Sequence, residues 1–241
     1  GAGAGDMDAD AMFAAAKQVI ARCAADDAVD ASDIAAVAVT SFGEACVPVD
    51  KNGACLSSML MYTDSRGQRE AERVLGRLGA DRIGEITCTE FAPMYSLPKI
   101  IWLMENNSTV RERAYKFLQA ADFICYRLSG ALTSNYAQAC RTAAFDVEAR
   151  RFSAEVLGAA GLDPELMPEP VPCGTVVGTI LPDLAAELGL PASMRVVQGS
   201  HDQIAAATGA GVLAPGQAVD GTGTVEGSPP VFDHIIRERQ F

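Results

Sequence analysis

Between residues 174 and 220 runs of strand length alternate with runs of helix length, and this alternation narrows the fold more than any other feature of the chain. The spacing predicts a strand over Gly174 to Ile180, a helix over Pro182 to Leu188 and a strand over Arg195 to Gly199. A helix over Asp202 to Val212 and a strand over Gln217 to Asp220 complete the series. Elements that take turns in this way build α/β layers in which helices cover a sheet. Earlier, Ile34 to Thr40 is a near-continuous apolar run, the kind buried on both faces of a mainly parallel sheet. A second run, Ala45 to Val49, ends at Asp50-Lys51-Asn52-Gly53, whose Asn-Gly pair predicts a tight turn with positive φ. A hairpin here makes the expected sheet mixed.

Met12, Ala16, Val19, Ile20 and Cys23 recur at helical spacing behind an acidic start, which predicts a helix from Asp6. Further helices are expected over Arg66 to Leu78, over Ser96 to Glu105 with Pro98 in the tolerant first turn, and over Ala121 to Leu128. Leu132 to Phe152 is polar and irregular and reads as loops and short hairpins. Pro164, Pro168, Pro170 and Pro172 mark an extended connector. Gly1 to Gly5 is small and flexible and carries no fold information.

Composition excludes several classes of function. The chain has 241 residues, enough to bury a core, and a formal charge of -12 with no basic stretch longer than Arg111-Glu112-Arg113 or Arg237-Glu238-Arg239. Nucleic acid and anionic membrane are therefore not expected partners. No apolar run reaches the roughly 18 residues that span a bilayer. Seven cysteines without a C-x-x-C pair, and only two histidines, give no support to zinc or haem. The odd cysteine count without a signal peptide suits a reducing cytosol, so a cytoplasmic protein is expected.

The stretch Val196 to Gln203 concentrates the chemistry. An apolar strand ends in Gly199-Ser200 and hands Asp202 to the start of a helix, at the carboxyl edge of the sheet where open α/β folds bind ligands. The competing reading is that Asp202 merely caps the helix. Asp220-Gly221-Thr222-Gly223-Thr224-Val225-Glu226-Gly227 offers backbone amides and hydroxyls to phosphate oxygens, or is a turn that needs glycine for its φ angles. A dinucleotide fingerprint fails because the third glycine is a residue late and Ser228-Pro229-Pro230 forbids the helix that should come next. Ser200-His201-Asp202 holds the residue types of a hydrolase triad, but consecutive side chains diverge. Neither a G-x-S-x-G elbow nor a G-x-x-x-x-G-K-[ST] loop occurs. Glu44, after Ser41-Phe42-Gly43, is either an acceptor for a polyol's hydroxyls or a solvated loop acid. Asp64 and Arg66 read as a cap with an ion pair, and Tyr95 and Trp102 as sugar-stacking rings or core.

Taken in order, these segments resemble the FGGY family of carbohydrate kinases from about Asp6 to Phe241. The family shows a strand, a substrate loop and a "D-x-x-G" hairpin, as in Ser41-Phe42-Gly43-Glu44 through Asp50-Lys51-Asn52-Gly53, then an aromatic-x-D-x-R element, here Tyr62 to Arg66. A "P-x-x-S-x-x-K-x-x-W" helix stands as Pro93 to Trp102, and a "D-(x)-I-x-Y-R-L-(S/T)-G" stretch runs from Asp122 to Gly130. The closing pair is the most specific: "G-x-x-D-x-x-x-x-x-x-G" at Gly199 to Gly209 and a "G-T" loop at Gly221-Thr222-Gly223-Thr224.

The resemblance implies a ribonuclease H-like, actin-like ATPase fold with a mixed sheet flanked by helices. It implies phosphorylation of a small sugar or polyol, with ATP and Mg2+ as cofactors and no metal held by a side-chain cluster. Asp202 would be the general base, Gly43, Glu44, Met94 and Gln203 would surround the sugar, and Thr222 and Gly223 would face nucleotide phosphate. Family members also open with a "D-x-G-T-(T/S)" phosphate hairpin and carry a second, adenine-binding domain. Residues 1–241 are thus expected to be the substrate-binding N-terminal domain without that first hairpin or the nucleotide-binding domain, and to turn over slowly or not at all alone. The loop Phe42-Gly43-Glu44 differs from the Met-His-Gly of xylulose kinases and aligns its acid with the Arg-Glu of glycerol kinases; a pentulose such as xylulose is favoured. A homodimer is compatible with the sequence. Two other readings stay open: a non-catalytic actin-like module that binds sugar or nucleotide, and a structural subunit.

Overall fold

The computed structural model describes residues 5–222 and 227–236. In chain order it runs β1 (Asp6–Met7), α1 (Ala9–Ala24), β2 (Ala36–Ser41), β3 (Val47–Val49), β4 (Met59–Leu60), α2 (Gln68–Leu78), α3 (Ala80–Thr87) and α4 (Ser96–Asn106). Next come α5 (Ser108–Arg113), β5 (Lys116–Leu118), α6 (Ala120–Ser129), β6 (Thr133–Asn135), α7 (Tyr136–Cys140), β7 (Phe145–Asp146) and β8 (Arg151–Phe152). The last are α8 (Ala154–Ala160), β9 (Glu169–Val171), β10 (Val176–Thr179), α9 (Pro182–Leu188), β11 (Arg195–His201) and α10 (Asp202–Gly209).

The largest sheet has the order β10-β11-β2, with β11 antiparallel to β10 and parallel to β2, so it is mixed as the sequence predicts. Because β2 and β11 are parallel, with Ser41 opposite His201, both release the chain at the same edge. That shared edge is what brings residues 42–44 and Asp202 together. Burial of β2 departs from expectation: Val37, Val39 and Ser41 are half-buried, whereas Ala36, Ala38 and Thr40 are exposed. The helical cover from α6 reaches the face that carries Val37 and Val39, so the apolar run is buried on one side only.

Helix α1 starts where the Asp8 carboxylate accepts the Ala11 amide at 3.0 Å, a side-chain N-cap. Its buried stripe is rotated from the predicted one. Ala9 and Phe13 are buried and Ala16, Ile20 and Ala24 half-buried, while Val19 and Cys23 face solvent. The Asp50 to Gly53 turn forms as predicted: the Gly53 amide donates to the Asp50 carbonyl at 2.9 Å and Gly53 takes a φ of 83°. Its return arm, however, contributes only the Val49 to Cys55 bridge, and β3 finds its strand partner in β5.

Four short helices, α3, α5, α7 and α8, lie where no helix was expected. The region 132–152 contains the expected hairpin, β7 with β8, and also β6 and α7. The proline connector supplies β9, which pairs in parallel with β6. Gln217 to Asp220 forms no strand: Ala218 bridges Pro230 and Gly221 bridges Gly227, and a proline opposite, lacking an N–H, cannot extend the ladder. Two apolar cores result. One joins α2, α3, α4 and α8 through Val74, Ile83, Ile100 and Leu157; the other joins α1, α6 and α9 to the sheet through Phe13, Phe123, Leu188 and Val196. Among the described residues no helix is long and apolar enough to cross a membrane, and none of the seven cysteines is in a disulfide.

Candidate active site

The end of β11 is bent by a bulge, since the register with β2 slips by one residue between Gln198 and His201. Glycine is required there. A Cβ on Gly199 would lie 2.2 Å from the Val39 carbonyl oxygen, so only the bare backbone allows the strands to approach this closely. The Thr40 hydroxyl donates to the Ser200 carbonyl at 2.7 Å and fixes the bulge to β2. The extra residue re-aims the next two side chains: His201 occupies the N-cap position of α10 and Asp202 begins the helix.

The capping alternative for Asp202 therefore does not hold, because the N-cap residue is His201, whose side chain makes no capping bond. Asp202 Oδ1 accepts the Gln203 amide at 2.7 Å and lies 3.2 Å from His201 Nδ1. Its side chain keeps 45% of its surface exposed, so the carboxylate is oriented yet open to a ligand. It sits on the positive end of the α10 dipole.

Opposite it, the chain leaving β2 passes through Gly43, which is wedged between two side chains. A Cβ there would lie 2.6 Å from Arg141 Cγ and 3.1 Å from His201 Cδ2. Glu44 comes next, in a left-handed conformation with φ 58°, and is only 4% exposed, so it is no solvated loop acid. Its carboxylate ion-pairs with Arg141 through Nε and Nη2, and its amide donates to Gln119 Oε1 at 2.9 Å. The Arg141 guanidinium lies 5.1 Å over the Tyr95 ring. Burial lowers the pKa of Arg141, and the negative charge of Asp202 opposes that, so the three charged groups share one local field. His201 is held below its ordinary value, first by burial and then by Arg141, against the pull of Asp202. The imidazole is thereby biased towards its neutral form.

The loop is held from behind by amides and one ammonium. Gln119 Nε2 donates to the Gln138 carbonyl, while Gln138 Nε2 donates to the Ser41 carbonyl at 3.0 Å and the Phe42 carbonyl at 3.3 Å. Lys99 Nζ donates to the carbonyls of Glu44 at 3.1 Å, Tyr95 at 3.2 Å and Met94. The first amides of α4 donate to the carbonyls of Arg141 at 3.4 Å and Thr142 at 3.0 Å. Arg141, Gln119 and Gln138 escaped the sequence reading. Gln119 had a local signal, since Gln119-x-x-Asp122 forms a capping box at the start of α6. Arg141 had none, standing in a stretch without periodicity.

The other predicted residues fall into three groups. Met94 is 43% exposed and joins the site through its carbonyl on Lys99. Gln203 points along the edge, and a Cβ on Gly221 would lie 3.2 Å from its Oε1, which places it beside the glycine and threonine loop. Thr222 is exposed, and Gly223 lies outside the described residues. Tyr95 is buried, and Trp102 packs on the core with Arg66 at 5.0 Å over its ring. Asp64 is buried and paired with Arg66 as expected, but it caps no helix, since the N-cap of α2 is Gly67. Two cavities, of about 410 and 470 Å³, lie elsewhere: one beside Tyr115 and Leu162, the other beside Tyr126 and Arg127. The Asp202 site is an open edge with polar groups that converge.

Residues 2–209 match the N-terminal domain of the FGGY family of carbohydrate kinases. The chain is 32% identical over 178 residues to L-fuculokinase of Escherichia coli K12, covering 74% of this chain and 38% of that protein. It is 26% identical over 196 residues to xylulose kinase of Bacillus subtilis 168, covering 81% and 39%. It superposes on the crystal structure of a xyloylose kinase from Brucella ovis with a TM-score of 0.84 at 27% identity, over 91% of this chain and 45% of that one. The chain spans about two fifths of the length of the curated relatives it matches.

Proposed function

Because this chain belongs to the FGGY family of carbohydrate kinases and has their mixed α/β, ribonuclease H-like and actin-like fold, we propose that it is the acceptor-binding half of an ATP-dependent sugar kinase. The observation that carries this reading is the meeting of Asp202, Arg141 and Glu44 at one carboxyl edge of the sheet. In the proposed reaction Asp202 accepts the proton of a substrate hydroxyl while that oxygen attacks the γ-phosphorus of ATP. The new O–P bond forms as the bond to the β-phosphate bridging oxygen breaks and ADP leaves.

Gly43 and Glu44 line the acceptor's position, with Met94 on the rim. Gln203 reaches between the acceptor and the Gly221 loop, where Thr222 and Gly223 are proposed to face nucleotide phosphate. The amino end of α10 favours an ionised Asp202 and an approaching phosphoryl group. A magnesium ion carried in on the nucleotide is part of the proposal. That ion supplies neutralisation of phosphate charge.

The names of the relatives, L-fuculokinase and xylulose kinase, support a sugar acceptor, and a pentulose such as xylulose is the first candidate. Turnover is proposed to need the further length that those relatives possess, so residues 1–241 alone bind the acceptor and phosphorylate it slowly or not at all. Seven cysteines free of disulfides support a cytoplasmic setting. The test is ATP-dependent phosphorylation of pentuloses, hexuloses, glycerol and other polyols by the protein extended to its relatives' length, with Asp202→Ala beside it. One acceptor should turn over, and the variant should lose about 100-fold or more. Acceptor binding without turnover would instead favour a non-catalytic binding module.

A further inference from the structure

Lys99 has no exposed surface, and no other lysine or arginine among the described residues is buried. It stands in the first turn of α4, where the helix dipole disfavours a cation. Among the described residues its ammonium forms no ion pair, and Asp64 acts on it only at a distance. Three main-chain carbonyls, those of Glu44, Met94 and Tyr95, take the three protons that an ammonium can donate. Burial lowers its pKa to about 8, outweighing the weaker opposing pulls of Cys46 and Asp64. A methionine would fill similar space without that cost, so packing alone does not account for the residue.

The identity of the acceptors does account for it. One carbonyl belongs to Glu44, a non-glycine residue held at φ 58°, a conformation that persists only where its surroundings enforce it. The other two belong to the turn that presents Met94 to solvent and Tyr95 to Arg141. One buried point thus ties both walls of the site to the rigid start of α4. We propose that Lys99 is a positioning residue for the acceptor: it cross-links the Glu44 loop to the Met94–Tyr95 turn and sets their spacing without touching the sugar.

The inference rests on the sugar-kinase reading, and its test separates the two. Lys99→Met keeps length and apolar volume and removes the donors. In the protein extended to its relatives' length it should raise the acceptor's KM or Kd at least ten-fold and leave kcat within about three-fold. Amide exchange should quicken at residues 44–46 and 94–96 and stay unchanged at Val196 and Val197. Lys99→Arg should not restore affinity, because a planar guanidinium cannot serve three carbonyls grouped around one point. Acceptor affinity within two-fold of wild type, with unaltered exchange in both segments, overturns the proposal. If Lys99→Met does not fold, the wild-type Nζ resonance decides: saturating acceptor should shift it, and no shift overturns the proposal. A wild-type protein that binds no sugar, while the exchange contrast persists, overturns the kinase reading and leaves the cross-link standing.

Discussion

Glu44 and Arg141 form an ion pair in which the acid is almost wholly buried and both Nε and Nη2 of the arginine converge on one carboxylate oxygen. The pair joins the chain leaving β2 to the loop after α7, and it stands within the field of Asp202. Breaking one side of such a pair leaves the other charge uncompensated, at a cost of about 3 to 5 kcal/mol when burial is complete and less where, as for Arg141, the side chain keeps some solvent. Glu44→Gln keeps the shape and removes the charge, freeing Arg141 to turn to Asp202, whose charge already acts on it. The expected outcome is a loss of both acceptor affinity and kcat of ten-fold or more. Steady-state kinetics with the accepted sugar checks this, and a loss confined to KM would show that Arg141 stays clear of Asp202.

The same pair bears on the charge of the acceptor. Arg141 is already neutralised by Glu44, and Lys99 is buried with its three donors spent. A carboxylate on the acceptor would therefore meet Glu44 and Asp202 without a free cation among the described residues around them. Gluconate should bind at least ten-fold more weakly than glucitol, a neutral polyol of equal length. Calorimetric titration of both ligands measures the ratio, and equal affinities would contradict it.

Close backbone approach at Gly199 makes another prediction. Gly199→Ala drives a Cβ against the Val39 carbonyl oxygen, an immovable main-chain atom, and so separates β11 from β2 where the bulge aims Asp202. Overpacking of this kind costs about 1 to 3 kcal/mol. Denaturant midpoints should fall accordingly, and kcat should fall further than stability does, because the displaced residue carries the proposed base. Gly209→Ala, with nothing within 4 Å of its Cβ, is the control that should leave both unchanged.

The sequence made the edge of the sheet legible because that information is local. Helix α9 runs from Pro182 to Leu188 as predicted, and the strand that delivers Asp202 ends within two residues of its expected limit. What it could not disclose is which partners long-range folding supplies. Arg141 reaches Glu44 across 97 positions and Lys99 reaches it across 55, and neither spacing leaves a periodic trace. The one-sided burial of β2 has the same origin, since an apolar run does not say how many of its faces will be covered. Glu44 itself was ambiguous for this reason: its burial is decided by Arg141 and Gln119, not by its neighbours in sequence.

Asp122 makes stability depend on pH, and its surroundings set the sign. The carboxyl is 1% exposed in α6, Oδ2 accepts the Gln119 amide at 3.4 Å, and Oδ1 has no protein partner. Burial outweighs its hydrogen bonds and raises its pKa to about 7 from 3.8. The folded protein therefore holds a proton between about pH 4 and pH 7 that the unfolded chain releases. Stability from this group is complete below pH 4 and is lost as pH rises through 7, by a few kcal/mol in total. Asp122→Asn keeps the neutral shape at every pH and should abolish that slope. Urea midpoints at pH 5 and pH 8 should diverge for wild type and stay together for the variant; parallel behaviour of the two proteins would contradict the buried neutral acid.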